Sequence, residues 1–199
     1  LKSAAKWGLC CMSANRLFPS LPMALLFLLA AGSAGAAESS FPKAVEVRGE
    51  RLERVGTGTF KWMFFKVYDG AYYQDADRMK AGALDDVAKR LVLVYNRGIT
   101  ADQFRKSGNE FLRRNVGESS YADFSARLDR LNAAYEDVGK GDRYALTYVP
   151  GEGTTLALNG EDLVTIEGAD FAAAYFSIWL GENPVKETFR RQLLSGGST

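Results

Sequence analysis

Apolar residues recur along this chain in two different periods, and the densest run of them lies at residues 60–74, FKWMFFKVYDGAYYQ. Read with period two, Phe60, Trp62, Phe64, Tyr68 and Tyr72 share one face, and Met63, Phe65, Val67, Ala71 and Tyr73 share the other. Both faces are apolar. That predicts a strand covered on two sides, or covered on one with the other lining a cavity. At ~3.3 Å per residue the run would span about 50 Å, too far for one straight strand in a small domain. Pairing is therefore expected to start near Met63, or the strand to bend around Lys61. Gly70 has no Cβ, so a helix or a ligand could approach the backbone there.

The remaining pattern places other elements around this stretch. Val45 and Val47 alternate with polar residues, Gly49 marks a turn, and residues 52–55 run into Gly56-Thr57-Gly58-Thr59. Aromatic strand residues follow that glycine pair, so it reads as a hairpin turn and not as a phosphate-cradling loop, which opens a helix. Residues 75–88 read as a loop with a short helix, and residues 90–96 as a buried strand. Thr100 opens a helix through a capping box with Gln103. Phe104, Phe111 and Leu112 form its inner side, and Arg105, Lys106, Arg113 and Arg114 are expected in water.

After Ser119-Ser120, the residues Tyr121, Phe124, Leu128, Leu131 and Tyr135 recur at helical spacing and predict a second amphipathic helix, stopped by Gly139 and Gly141. Period two returns with Tyr144, Leu146 and Tyr148. Asn159-Gly160 between two apolar runs predicts a type I′ hairpin. Residues 169–180 form a nearly all-apolar helix closed by Gly181. Asn183 is expected to cap a last helix with Pro184 at its first position and Val185, Phe189 and Leu193 inward. Strands, helices, strands, helices, with no βαβ alternation, predict an α+β fold: a large antiparallel β-sheet with a layer of helices on one face.

Composition changes the picture mainly at the N-terminus. Lys2, Lys6 and Arg16 precede the apolar run MALLFLLAA at residues 23–31, and Ala34-Gly35-Ala36 follows it. This is the pattern of a secretory signal peptide over residues 1–36, shorter in its apolar part than the ~20 residues a bilayer span needs. Cleavage after Ala36 or one residue later is expected, with translation starting at Met12. Residues 37–199 then form a single periplasmic domain with no stable membrane span. Both cysteines, Cys10 and Cys11, lie in the leader, and the chain has no histidine.

The domain therefore lacks disulfides, imidazole and thiolate, which removes most nucleophilic and metal-ligating chemistry, and neither a cofactor nor a metal is expected. Neighbouring acids at Asp85-Asp86 and Glu161-Asp162 do not face one another on a strand or helix, and read as solvated surface. Three of the 25 basic residues and none of the 24 acidic ones precede residue 37, leaving a net charge of −2 on the domain. Nothing in that balance calls for nucleic acid.

Four segments, FFKVYDGAYYQ, ITADQFRKSGNEFLRRN, YVPGEGTTLALNG and FSIWLGENPV, resemble the chalcone isomerase-like family, and more narrowly its bacterial exported branch. The resemblance covers roughly residues 45–195. It implies a large antiparallel sheet, a helical layer and an apolar cleft between them. Plant enzymes of the family close a chalcone to a flavanone without cofactor or metal, and fatty-acid-binding members hold an acyl chain in the same cleft. The catalytic groups do not carry over. The family's arginine falls at Val55, with Arg54 on the opposite face, its threonine at Val67, its tyrosine at Phe104 and its asparagine at Phe111.

Chalcone cyclisation is accordingly not expected. The resemblance leaves three functional classes: a carrier of a small hydrophobic molecule such as a fatty acid, an isomerase with rearranged residues using tyrosine and lysine for proton transfer, and a domain whose cleft is packed shut for interaction with another envelope protein. Ligand-binding candidates are Lys66, Tyr68, Tyr72 and Tyr95 for a polar end, and Phe104 for an apolar one. The cleft is expected between residues 60–74 and the helix at 169–180, with Gly70 and Ala71 beside it.

Overall fold

The long aromatic run is folded in half. In the computed structural model, which describes residues 41–195, the chain reverses at Met63-Phe64. Phe60 and Trp62 thus end one strand and Phe65 begins the next, with Trp62 paired to Phe65 across the turn. Seven strands lie in chain order across one antiparallel sheet. They are β1 (Ala44–Val47), β2 (Glu50–Trp62), β3 (Phe65–Asp75), β4 (Lys89–Tyr95), β5 (Arg143–Val149), β6 (Gly153–Leu158) and β7 (Glu161–Ile166). Helices α1 (Ala101–Asp123) and α2 (Ser125–Ala133) connect β4 to β5, and α3 (Ala169–Leu180) and α4 (Glu187–Leu194) follow β7. The α+β expectation holds.

The two apolar faces of β3 serve different cores. Tyr68 and Tyr72 join the main core, which the four helices cover, with Phe171, Phe176 and Phe189 among its fully buried members. Ala71 and Tyr73 point the other way, into a smaller cluster with Leu52, Val92, Ala145 and Ala157, against which Phe41, Val45 and Val47 pack. Tyr73 ties that side down by donating to the Pro42 carbonyl at 3.1 Å. Among the described residues, both cores are built from residues between 41 and 194.

The glycine pair after residue 55 is not a turn but the middle of β2, where Gly56 and Gly58 pair with Tyr72 and Gly70. The missing side chains make room for α4. A Cβ on Gly56 would lie 2.4 Å from the Gln192 carbonyl oxygen, and one on Gly58 would lie 2.7 Å from the Gln192 side chain. Composition alone reads Gly-Thr-Gly-Thr as a bend; here it is a landing strip for a helix. At the other end of the sheet the turn chemistry holds, with Asn159 and Gly160 both left-handed (φ 53° and 96°) between β6 and β7.

Helix α1 starts as expected: Thr100 Oγ1 accepts from the Gln103 amide, and Gln103 Oε1 accepts from the Thr100 amide. It is broken at Gly117 (φ 80°, ψ 165°), so the division foreseen at Ser119-Ser120 falls two residues earlier. Arg105 departs from expectation. It is half-buried, and its Nε donates to the Asn132 carbonyl at 3.0 Å, fastening α1 to the end of α2. The last helix also begins later than Asn183-Pro184. Lys186 stands at its N-cap without a side-chain cap, and the Asn183 and Pro184 carbonyls instead accept from Arg114 at 2.7 and 3.2 Å.

Lys89 is buried completely, its ammonium donating to the carbonyls of Ala83 and Asp85 and lying 5.6 Å from the centre of the Tyr148 ring. Burial pulls its pKa down to about 8, against the opposing pull of Asp85 and Asp86. The Asp85-Asp86 pair is exposed as expected but not idle: the Asp85 carboxylate accepts from the Gly82 amide, and the Asp86 carboxylate from the Tyr148 hydroxyl.

Candidate functional site

Between the helix-covered face of the sheet and helices α1 and α3 lies a cavity of about 570 Å³. Strand periodicity supplies its floor, with Tyr68 from β3, Leu93 and Tyr95 from β4 and Tyr144 from β5. Helical periodicity supplies its roof, with Phe104, Gly108 and Phe111 one turn apart on α1, and Tyr175 and Trp179 one turn apart on α3. The charged lining residues, Arg97 and Glu110, are both exposed, so charge is confined to the rim. The cleft is not packed shut by side chains.

Five tyrosines bring the polar atoms. Tyr135 and Tyr175 share a hydroxyl–hydroxyl hydrogen bond of 2.8 Å. The Tyr144 hydroxyl accepts from the Glu136 amide at 2.8 Å and donates to its carbonyl. Tyr68 accepts from Trp179 Nε1 at 3.3 Å. Tyr95 is held by edge-on ring contacts to Tyr68, Phe104 and Tyr144, and among the described residues its hydroxyl has no hydrogen-bonding partner. Desolvation raises the pKa of Tyr68, Tyr95, Tyr135 and Tyr175 above the ordinary value of 10.0. All four stay protonated at neutral pH: good hydrogen-bond donors and poor bases.

Of the ligand candidates read from the sequence, the structure brings Tyr68, Tyr95 and Phe104 to the cavity wall. It leaves two outside. Tyr72 donates to Gln74 Oε1 at 2.7 Å, and Gln74 in turn donates to the Arg78 and Ala81 carbonyls, so this tyrosine pins the loop after β3. Lys66 is exposed at the β2–β3 hairpin, in a separate groove. Of the positions where the family's enzymes carry polar groups, Val67, Phe104 and Phe111 line the cavity. Val55 does not: it sits at the β-bulge between Arg54 and Gly56 and packs into the core, while Arg54 donates to the Phe41 carbonyl.

Sequence reasoning missed Tyr135, Tyr144, Tyr175 and Trp179 as lining residues. Tyr175 and Trp179 were findable, since two rings with polar tips four residues apart in a nearly all-apolar helix share one face. The Tyr135–Tyr175 contact joins residues far apart in sequence and carries no local signal.

A sheet of seven antiparallel strands, a helical layer over one face and an apolar cavity between them define the architecture. A sequence model described as chalcone isomerase-like matches residues 33–195, and the chain belongs to that family. No curated protein matches the sequence. Among solved structures, the chain is similar in fold to the fatty-acid binding protein AtFAP1 of Arabidopsis thaliana. The TM-score is 0.62 at 16% identity, over 78% of this chain and 91% of that one.

Proposed function

We propose that this chain is an exported, non-catalytic binder of a small apolar molecule with one polar end, a fatty acid being the type that fits best. The observation that carries the reading is the cavity itself, about 570 Å³ of space walled by aromatic and aliphatic side chains with charge only at its rim. That volume falls within the roughly 300–1,000 Å³ typical of small-molecule sites. An acyl chain of about twelve to sixteen carbons gains ~0.8 kcal/mol per buried methylene, and micromolar affinity needs only about −8 kcal/mol after ordering costs are subtracted. The Tyr95 hydroxyl is the open donor for a carboxylate, with Tyr68 beside it.

The fatty-acid binding of the similarly folded Arabidopsis protein supports the ligand class. Protonated tyrosines suit donation to a carboxylate and oppose the phenolate that a proton-abstracting isomerase would need. Apolar residues at Val67, Phe104 and Phe111 favour the same reading. Export rests on the leader pattern of residues 1–36 and on the resemblance to the exported branch.

Titration with saturated fatty acids of several lengths tests the binding. Saturable, length-dependent affinity is expected, with Tyr95→Phe weakening binding of the acid more than of its methyl ester. Absence of saturable binding at every length rejects the carrier. A 2′-hydroxychalcone should cyclise no faster than it does unaided; a stereoselective hundredfold acceleration, about 2.7 kcal/mol of barrier, would restore the enzyme reading. Protein recovered from cells should begin near Ala37 in the periplasmic fraction, and an intact N-terminus in the cytosol would end the export proposal.

A further inference from the structure

The tip of the β2–β3 hairpin breaks the rule that governs the rest of the surface. Trp62, Met63, Phe64 and Phe65 are 66, 75, 91 and 61% exposed, four consecutive large apolar residues in water. Met63 also takes a left-handed backbone (φ 53°), a conformation that suits Gly or Asn far better than a long side chain. The same chain uses Asn159-Gly160 where it needs an ordinary solvent-facing hairpin turn. Neither turn chemistry nor core packing explains an apolar tip here. Exposed apolar surface rimmed by polar groups marks an interaction site.

Charge identifies the partner. Lys61 pairs directly with Lys66 across the hairpin, and opposed like charges repel. Both lysines line a groove with Met63 and Lys186, and its other lining residues, Thr59, Thr188 and Gln192, are neutral. Arg97 adds a cation 5.9 Å from the centre of the Phe65 ring. Of the acids near these cations, Glu187 pairs with Arg190, and Asp69, which accepts from Thr59 and Asn96, offsets part of the charge of Lys66. An aromatic wedge ringed by Lys61, Lys66, Lys186 and Arg97, with only Asp69 acting against Lys66 and Glu110 on the same rim as Arg97, matches an anionic phospholipid surface, the rings at headgroup depth and the ammonium groups on phosphates.

The wedge is also continuous with the cavity, since Trp62 and Arg97 line both the tip and the cavity mouth. We propose that the β2–β3 tip, with Lys61, Lys66, Lys186 and Arg97, docks this protein on membranes bearing anionic phospholipid, turning the cavity mouth toward the bilayer. Docking stands whatever the cavity holds; loading an apolar ligand from the bilayer rests on the function proposed above.

Flotation of the protein with vesicles tests the docking. Binding is expected to vesicles of phosphatidylcholine mixed with phosphatidylglycerol, and not to phosphatidylcholine alone, and should weaken as salt is added. The combined variant Trp62→Ser/Phe64→Ser should lose at least about tenfold in binding. Lys61→Glu/Lys66→Glu/Lys186→Glu should lose at least about a hundredfold, at roughly fivefold per basic group. All these side chains are exposed, so unchanged melting curves are expected. Absence of vesicle binding, or binding that both variants retain, overturns the proposal. Saturable binding of inorganic phosphate without vesicle binding overturns it in favour of a free-anion site. Vesicle binding without fatty-acid binding leaves docking intact and removes the ligand reading; the converse removes docking alone.

Discussion

Phe189 of α4 lies directly over Gly70 of β3: a Cβ added to Gly70 would stand 2.7 Å from Phe189 Cζ. The close approach expected at Gly70 is therefore made by a helix, and by α4 where α3 was the expected partner. Because Phe189 is fully buried, its ring has no free space to retreat into. Gly70→Ala should cost about 1–3 kcal/mol of stability in a denaturant titration, and Gly70→Leu more. Phe189→Ala combined with Gly70→Leu should recover part of the loss, which a double-mutant cycle measures. Ala71, expected beside the cleft, faces the opposite core, so Ala71→Trp probes that core and not the cavity.

Gly108 is the position from which the cavity is best filled. A Cβ there meets nothing within 4 Å except the Tyr175 hydroxyl at 3.2 Å, and the residue lies on the wall. Gly108→Leu exchanges a poor helix former for a good one, a gain of roughly 1 kcal/mol that offsets the crowding at Tyr175. Its side chain takes the place of three or four ligand methylenes at ~0.8 kcal/mol each. Affinity for a long fatty acid should fall at least about tenfold. Melting temperature should barely move.

Stability should pass through a maximum at about pH 10. Lys89 has a folded pKa of about 8 against an ordinary 10.5, so between those values the unfolded chain binds more protons and stability rises with pH. Tyr68, Tyr72 and Tyr175 have folded pKa values above the ordinary 10.0, so beyond that pH the unfolded chain releases protons that the folded one keeps, and stability falls. The rising limb between about pH 8 and 10 should be worth on the order of 2 kcal/mol. Lys89→Met should flatten that limb and leave the fall above pH 10 in place. Denaturant midpoints measured across pH 7–11 check both limbs.

The capping box at Thr100 offers a calibration from a site remote from the main-core contacts of α4. Thr100→Ala removes the acceptor for the Gln103 amide and should cost about 0.5–2 kcal/mol. Thr100→Ser should restore most of it. Arg105→Ala, by contrast, is not the neutral surface change that helical periodicity predicts. It removes the side-chain donor from the Asn132 carbonyl, which keeps the Tyr135 amide at 3.4 Å, and should cost about 1 kcal/mol.

Elements whose signals are local were legible in the sequence. The buried apolar run at β4, the period-two run at β5, the Asn159-Gly160 turn, the Thr100 box and the apolar α3 each follow from the conformational preferences of a few adjacent residues, which tertiary contacts here reinforce. The absence of histidine, and of cysteine beyond residue 11, likewise fixed which chemistry the domain could carry.

What depends on distant partners was not legible. Gly56-Thr57-Gly58-Thr59 has the composition of a turn, and only the arrival of α4 shows why a strand needs glycine there. Met63-Phe64 has the composition of a strand, and only the pairing of Trp62 with Phe65 makes it a turn. For the same reason the site was half visible. Alternation alone put Tyr68 and Tyr72 on one face, but sheet curl and helix placement decided that the first meets the cavity and the second a loop carbonyl network. Local sequence determined which faces are apolar; tertiary packing decided which apolar face remained unfilled, because a cavity is a space between elements that no single element encodes.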